Sequence, residues 1–462
     1  MHSKKEKLRI KNSQVDIDFT NKTLTSFGGS SSLISHYLNT INFKEFIENK
    51  FPVQESSNNS TGSYSKLVTL LITILNGGTK FSHINYFGID YKIIEKAFTI
   101  DRIAKSSSSM TRFWDKFNKQ SLNEELLNMA SKFASSLVSA TNIASDSLRF
   151  DSTVITRYGC QEGAKRGYNP RKRGRPSHQP QIAFLGSGFT VNFWNRSGNI
   201  TSGNGVIDFF DQTVLNINQI KITRILADSG YYNSVFIEHL EVNSYEYVIS
   251  VPIIQVLQKK IYSISNWKTV AEGIEVSEFN FQHAAVNWGK ERRYIVIRQN
   301  TNSRKKATGK QLKLFENLFD NNTYRHAVYI TNNTEDDPYD IWNYYKPRAN
   351  DENTIDNLKS GFGLDSFNLD NFWGTEAVLI TIALIFHNLL HFLMIKVINP
   401  KHFRERLKTV RLKYFIIPGK LGKDGRRYTL QLNIQNKKKK NKFIGFFRLI
   451  DKLIFNCNAV QL

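Results

Sequence analysis

Apolar and polar positions follow two rhythms along this 462-residue chain. Residues from about 30 to 140 read as helical. The apolar run Leu67 to Leu75 ends at Asn76-Gly77-Gly78, a helix-stop signal. The serines Ser106 to Ser109 stand before Met110-Thr111-Arg112-Phe113-Trp114, where serine can cap a new helix. From Ser147 the pattern changes to short β-branched runs: Leu148 to Ile155, Ile182 to Leu185 and Thr190 to Trp194, with Gly186-Ser187-Gly188 as a turn. Phe209 to Ile222 reads as a helix, Arg224 to Asp228 as a short strand ending in an acid, Tyr231 to Leu240 as a helix and Tyr247 to Val251 as a strand. Strands alternating with helices predict an α/β sheet.

Between about Ile254 and Asn333 strand patterns dominate, at Ile274 to Phe281, Tyr294 to Arg298 and Ala327 to Thr331, and predict an antiparallel β insertion. Trp342 to Leu364 then reads as helix, followed by the apolar stretch Ala377 to Ile395. Near the end, Leu412 to Ile417 and Tyr428 to Ile434 alternate apolar with basic or polar residues, a strand-like pattern that carries Lys and Arg. No repeat of fixed period is visible.

Composition narrows the classes. With 40% hydrophobic and 13% aromatic residues the chain can bury real cores, which excludes global disorder. Its length suggests two to four domains. The two cysteines, Cys160 and Cys457, exclude a disulfide scaffold and a Cys-based zinc module. Met1 to Lys7 is charged, without the apolar core of a secretory signal, so the expected compartment is a reducing cytoplasm. Ala377 to Ile395 imitates a membrane span, but His387, Asn388 and His391 would carry polar groups into lipid, so a buried core helix and no membrane contact are expected.

Charge then indicates the partner. Lys and Arg total 63 against 40 Asp and Glu, a net charge of +23. From Lys396 to Lys452 there are 18 basic residues against three acids, and Lys165 to Arg175 holds six basic residues and no acid. A weaker basic cluster opens the chain. Such an excess predicts a polyanionic partner, with nucleic acid first. The run Lys437 to Lys440 reads equally well as a phosphate-binding surface and as a solvated tail. His178, His283 and His402 show no metal-site spacing.

Three acids stand out. Asp151 lies inside an apolar strand and Asp228 at the end of another, and carboxylates on neighbouring strand ends of an α/β sheet can converge in a crevice. Either can also simply cap the next turn. Tyr345, Arg348, Glu352 and Lys359 fall at about 0°, 300°, 340° and 320° around a helix, one narrow stripe. A Glu flanked by Arg and Lys suits metal-dependent phosphoryl transfer, since the carboxylate holds a divalent cation while the basic groups grip phosphate. A solvated salt-bridged face has the same spacing.

The stripe resembles the Y-R-E-K signature of bacterial insertion-sequence transposases with a DDE core. Phe150-Asp151-Ser152-Thr153 resembles the first-Asp block and Leu226-Ala227-Asp228-Ser229-Gly230-Tyr231-Tyr232 the second; Gly159 to Pro170 resembles the insertion sequence 1380 branch. The resemblance spans roughly residues 60 to 435. It implies a ribonuclease-H-like α/β catalytic core in two parts, 141–254 and 336–398, interrupted by a β-strand insertion at 255–335. An N-terminal helical region at 1–140, whose short helices fit a DNA-binding or dimerisation module and a plain helical bundle equally well, and a basic DNA-contacting region at 399–462 complete the expected layout. The resemblance also implies that Asp151, Asp228 and Glu352 are the catalytic metal ligands for two Mg2+ ions, with Mn2+ as a substitute. Tyr345, Arg348 and Lys359 would contact phosphates at the transposon end. Trp288, with Trp267 second, would stack a flipped base, although core packing explains either as well.

Arg173 and Arg175, in Arg173-Gly174-Arg175-Pro176, also match the core of an AT-hook; contact with the DNA backbone from the family loop is the preferred reading. The expected activity is cut-and-paste transposition at terminal inverted repeats, by a homodimer that synapses two ends and joins them to target DNA in the nucleoid. The rivals are a catalytically silent DNA-binding protein on the same fold, such as a domesticated repressor, and a metal-dependent nuclease that does not join strands.

Overall fold

The alternating strands after residue 144 assemble into one nine-stranded sheet, seen in a computed structural model that describes residues 8–55, 57, 59–87, 90–283, 288–311 and 323–460. The opening basic cluster, Met1 to Lys7, lies outside the described residues. The strands are β1 (Ser145–Ser152), β2 (Gln181–Leu185), β3 (Thr190–Trp194), β4 (Lys221–Ala227), β5 (Tyr247–Val251), β6 (Lys268–Ala271), β7 (Ile274–Phe281), β8 (Arg292–Asn300) and β9 (Tyr324–Thr331). Their order across the sheet is β6-β7-β8-β9-β5-β4-β1-β2-β3. Only β1–β4 and β4–β5 pair in parallel. The other pairs are antiparallel, so the insertion strands β6 to β9 extend the sheet beyond β5 instead of forming a separate one.

Ahead of the sheet run six helices: α1 (Gly28–Thr40), α2 (Phe43–Lys50), α3 (Ser63–Leu75), α4 (Tyr91–Ala97), α5 (Ser107–Trp114) and α6 (Gln120–Ser139). The expected signals operate locally. The Ser106 hydroxyl accepts the Ser109 N–H at 3.3 Å and caps α5. Helix α3 stops at Leu75, where Gly77 takes φ +111°, a conformation that a side chain would oppose. Within and beyond the sheet come α7 (Val206–Asn216), α8 (Ser234–Val242), α9 (Gln255–Tyr262), α10 (Pro338–Tyr345), α11 (Ala349–Ser360) and α12 (Phe372–Ile398). The chain closes with a hairpin, β10 (Gly419–Asp424) and β11 (Arg427–Leu432), and with α13 (Lys437–Ile450).

Helix α12 is long and apolar enough to cross a membrane, and 94% of its most apolar stretch is buried within the protein. Its polar residues have partners there. Asn388 Oδ1 accepts the Thr190 N–H at 3.0 Å and its Nδ2 donates to the Thr190 carbonyl at 2.7 Å, so one amide grips both backbone groups at the start of β3. His391 Nε2 lies 3.0 Å from the Ser187 carbonyl, and burial lowers the imidazole to about 3, keeping it neutral.

Three sequence readings need correction. The helix expected at Phe209 to Ile222 spans Val206–Asn216, because Lys221 onward pairs with β1. The single helix expected over Trp342 to Leu364 is two, α10 and α11, joined by a 3-10 turn at Lys346–Arg348, where Pro347 has no N–H to continue the ladder. Leu412 to Ile417 is no strand: Leu407–Val410 and Arg411–Phe415 are helical, and Tyr414, Phe415 and Ile417 are buried. A short apolar alternation fits a buried helix as readily as a strand.

The termini are interlocked. Leu24 and Thr25 pair with β10, the His36 ring stacks on Phe447 of α13 at 4.9 Å, and the Cys457 N–H donates to the Ile41 carbonyl at 2.8 Å. One hydrophobic cluster runs from Leu33 to Val460 through the helices and the sheet.

Candidate active site

Because β1 and β4 are parallel with Phe150 opposite Ala227, the next residue on each, Asp151 and Asp228, leaves adjacent strand ends side by side. One oxygen of each is held by the local backbone. Asp151 Oδ1 accepts the Ser152 N–H at 2.8 Å, and Asp228 Oδ1 accepts the Gly230 N–H at 2.9 Å, capping the turn Ser229–Tyr231. The other oxygens converge on one cation: Arg348 Nη2 is 3.1 Å from Asp151 Oδ2 and 3.8 Å from Asp228 Oδ2. Burial pushes the Asp151 carboxyl up to about 7 against the pull of Arg348, and the neighbouring Asp228 charge adds to the rise. Burial also opposes the Arg348 charge, but Asp151, Tyr345 and Asp228 outweigh it, and the guanidinium holds its proton more tightly than usual.

The stripe residues reach the site from two helices. Ile341 and Trp342 of α10 pack with Leu226 of β4, Val248 of β5 and the insertion strands in a second apolar cluster. That packing carries Tyr345 to the sheet, where its hydroxyl donates to the Ala227 carbonyl at 3.2 Å, one residue before Asp228. Helix α11 buries Asp351, Ile355 and Leu358, at i, i+4 and i+7. On its flank the Lys359 ammonium donates to the Val154 carbonyl at 2.8 Å, and burial lowers its pKa. Glu352 is exposed at the rim of this helix. The structure therefore joins Asp151, Asp228, Arg348 and Tyr345 around one point and Lys359 beside it, with Glu352 outside their contacts. Among the described residues, no three His, Cys, Asp or Glu side chains are grouped as a metal site.

Sequence reasoning missed two residues here. Arg149 and Asp351 form an ion pair, Nη1 to Oδ1 at 3.2 Å, with both side chains nearly fully buried. Arg149 Nη1 also donates to the Pro347 carbonyl at 3.0 Å, tying β1 to the turn before Arg348. Burial lifts the Asp351 carboxyl to about 6 despite Arg149 and Arg348. The spacing of Asp351 with Ile355 and Leu358 was the available signal: it puts the acid in the apolar stripe.

Trp288 is 2% exposed, with the Tyr232 ring 4.9 Å away and the Arg292 guanidinium 4.8 Å from its own ring, so a base reaches it only if one of them moves. Trp267 is half-buried with Arg298 at 4.0 Å from its ring. Arg173 and Arg175 are exposed, and the same basic loop displays the exposed rings of Tyr158 and Tyr168. The loop is tied near the site, where Asn169 Nδ2 donates to the Thr156 hydroxyl at 3.0 Å, two residues past Val154.

The donor set suits a divalent cation. Two carboxylate oxygens, of Asp151 and Asp228, already share one positive group, and oxygen donors of this kind are what a hard divalent cation takes.

No curated protein matches the chain. Among solved structures it is similar to the piggyBac transposase in a cryo-EM synaptic complex with hairpin DNA, at 12% identity and a TM-score of 0.39, over 84% of this chain and 80% of that one. The family described as Transposase DDE domain group 1 matches residues 7–450, nearly the whole length. With its paired aspartates at neighbouring strand ends and that match across the chain, the protein belongs to the DDE transposases, enzymes that cleave and join DNA.

Proposed function

We propose that this protein is an insertion-sequence transposase of the Y-R-E-K type, in the insertion sequence 1380 branch, that moves its element by cut-and-paste transposition. The observation that carries this reading is the convergence of Asp151 and Asp228 on a single cation at the ends of two parallel strands. The order of the first five strands, β3-β2-β1-β4-β5, with β1, β4 and β5 parallel, supports a ribonuclease-H-like core. Glu352 completes the carboxylate set from the rim of α11, and Tyr345, Arg348 and Lys359 hold the phosphates of the transposon end.

Water attacks the phosphorus at the element's end and the 3′ oxygen leaves as a hydroxyl. That hydroxyl then attacks a target phosphate, exchanging one phosphodiester for another. Asp151, Asp228 and Glu352 would hold the two Mg2+ ions, which when bound would supply activation of the attacking oxygen and charge neutralisation at the leaving one. The protein's part is to hold its carboxylates charged and close, and to fix the phosphate against Arg348 and Lys359. A homodimer pairs the two inverted repeats in the cytoplasm, at the nucleoid.

The test is incubation of the protein with a plasmid carrying the gene's flanking DNA, in Mg2+ or EDTA. Excised element and joined products in Mg2+, absent in EDTA and with Asp151→Asn, are expected. Linear cuts that never join indicate a nuclease, and specific binding without cleavage a silent DNA-binding protein.

The lysines at the start of α13 fit the same partner. Lys437 to Lys440 occupy the first turn, where the partial positive charge of the helix end disfavours cations. Their placement does nothing for the helix and suits a phosphate backbone. Changing the four to Gln should lower the slope of log binding constant against log salt by about 0.9 for each phosphate no longer neutralised, alike on all sequences. An unchanged slope makes the run a solvated helix end.

A further inference from the structure

We propose that Arg348 is a latch on the metal site: in the free protein its guanidinium occupies the space between Asp151 and Asp228, and a divalent cation and this side chain exclude one another. The inference deepens the reading above and rests on it for the identity of the metal ligands.

Three observations carry it. First, the geometry is exclusive. A metal of the Mg2+ class takes carboxylate oxygens at about 2.0–2.1 Å. Arg348 Nη2 lies 3.1 Å from Asp151 Oδ2 and 3.8 Å from Asp228 Oδ2, on the side toward which both outer oxygens turn. A divalent cation held by those oxygens would meet the guanidinium charge at close range, where two positive charges repel in this partly buried site. Second, Arg348 sits at the outer Oδ2 atoms of the two aspartates, the oxygens without a backbone partner, while Asp151 Oδ1 and Asp228 Oδ1 each give one lone pair to a backbone N–H. Third, the Arg348 fork is only partly used. Its Nε is buried without a hydrogen-bond partner. A guanidinium presents five donors in a planar fork that matches a phosphate in two-point fashion, so a phosphate offers it more than two carboxylates reached through one nitrogen.

The arrangement orders events. Without DNA, Arg348 neutralises the two aspartates and metal loads poorly. When a DNA phosphate docks, Arg348 turns to it and the outer oxygens are released to the cation. By linkage, DNA tightens metal binding and metal tightens DNA binding by the same factor. Arg348 thus acts as a positioning and gating residue as well as a phosphate contact.

The latch makes a prediction opposite in sign to that of a merely structural arginine. Mn2+ binding to the DNA-free, full-length protein is measured by electron paramagnetic resonance, for wild type, Arg348→Met and Arg348→Met with Asp228→Asn. Arg348→Met should bind Mn2+ at least about tenfold tighter than wild type, and the added Asp228→Asn should remove the gain. Its melting temperature should drop in EDTA and recover in Mn2+ by more than that of wild type, because two unpaired carboxylates then depend on the metal. Should Arg348→Met not fold even in Mn2+, Arg348→Gln carries the same comparison. Equal or weaker Mn2+ binding in the variant overturns the latch, as does a gain that survives Asp228→Asn. The readout needs no DNA, so the latch can stand when the cleavage assay fails, and transposition can stand when the latch fails.

Discussion

Glu352→Gln should lower cleavage of the element's end by about 10³-fold or more, roughly 4 kcal/mol of barrier, while end binding stays within a fewfold of wild type. The side chain is exposed in the free protein, so the amide costs little in packing or stability. Its place on α11 explains why the loss should be large. Glu352 lies between Arg348 and Lys359, which reach Asp151 and the end of its strand, and in the proposed function it is the carboxylate that completes the set on binding DNA. The neighbouring acid supplies the control. Asp351 faces inward and is neutralised by Arg149, so Asp351→Asn should weaken the protein more than the chemistry. Single-turnover cleavage and a binding isotherm for both variants decide it. Near-normal cleavage by Glu352→Gln with none by Asp351→Asn would transfer the third carboxylate role to Asp351.

Arg149→Ala should cost about 3–5 kcal/mol of stability at pH 8, the usual penalty for leaving a buried charge without its partner. Asp351 then has no counter-ion at 3.2 Å, and the Pro347 carbonyl loses its donor. The deficit depends on pH. Burial already lifts the folded Asp351 carboxyl to about 6, above its unfolded value, and losing Arg149 raises it further. An acid whose folded pKa is raised binds more protons folded than unfolded, so its penalty is full in alkali and fades as pH falls. Denaturant unfolding at pH 8 and pH 5 should show the smaller deficit at pH 5. Measured against Asp351→Asn alone, adding Arg149→Ala should cost the same at both pH values, and less than in the wild-type background at pH 8. A deficit identical at both pH values would mean that Arg149 acts by packing alone.

Much of this architecture is legible in the chain, and the exceptions have physical causes. The strands Tyr247–Val251 and Ile274–Phe281 follow from alternation and turn residues, and Asp151 and Asp228 from acids set against apolar β-branched neighbours. Helical spacing set Tyr345, Arg348 and Lys359 on one stripe, and in the structure they meet Ala227, Asp151 and Val154 although the helix is broken at Pro347: the 3-10 turn and the packing of Trp342 preserve the approach to the sheet. The polar stripe by itself does not say which of two adjacent acids faces inward; the apolar positions Ile355 and Leu358, at i+4 and i+7 from Asp351, do. Trp288 has a basic neighbourhood in sequence, but Arg292 packs on its ring while Lys290 and Arg293 pair with Glu241 and Glu278. The pairing of Arg149 with Asp351 joins residues 202 positions apart and depends on the fold itself.

The interlocked termini bear on how the protein is made. Asn458 donates to Glu45 across 413 residues of chain, and Leu24 and Thr25 wait for a strand that begins at Gly419. On the ribosome the first helices emerge long before the segment that walls their core, so they must stay unfinished, or be held by chaperones, until translation is almost complete. A frameshift or early stop shortly before Gly419 removes that wall along with the basic surface. Such a copy should be cleared by proteolysis instead of persisting as a truncated competitor for the element's ends.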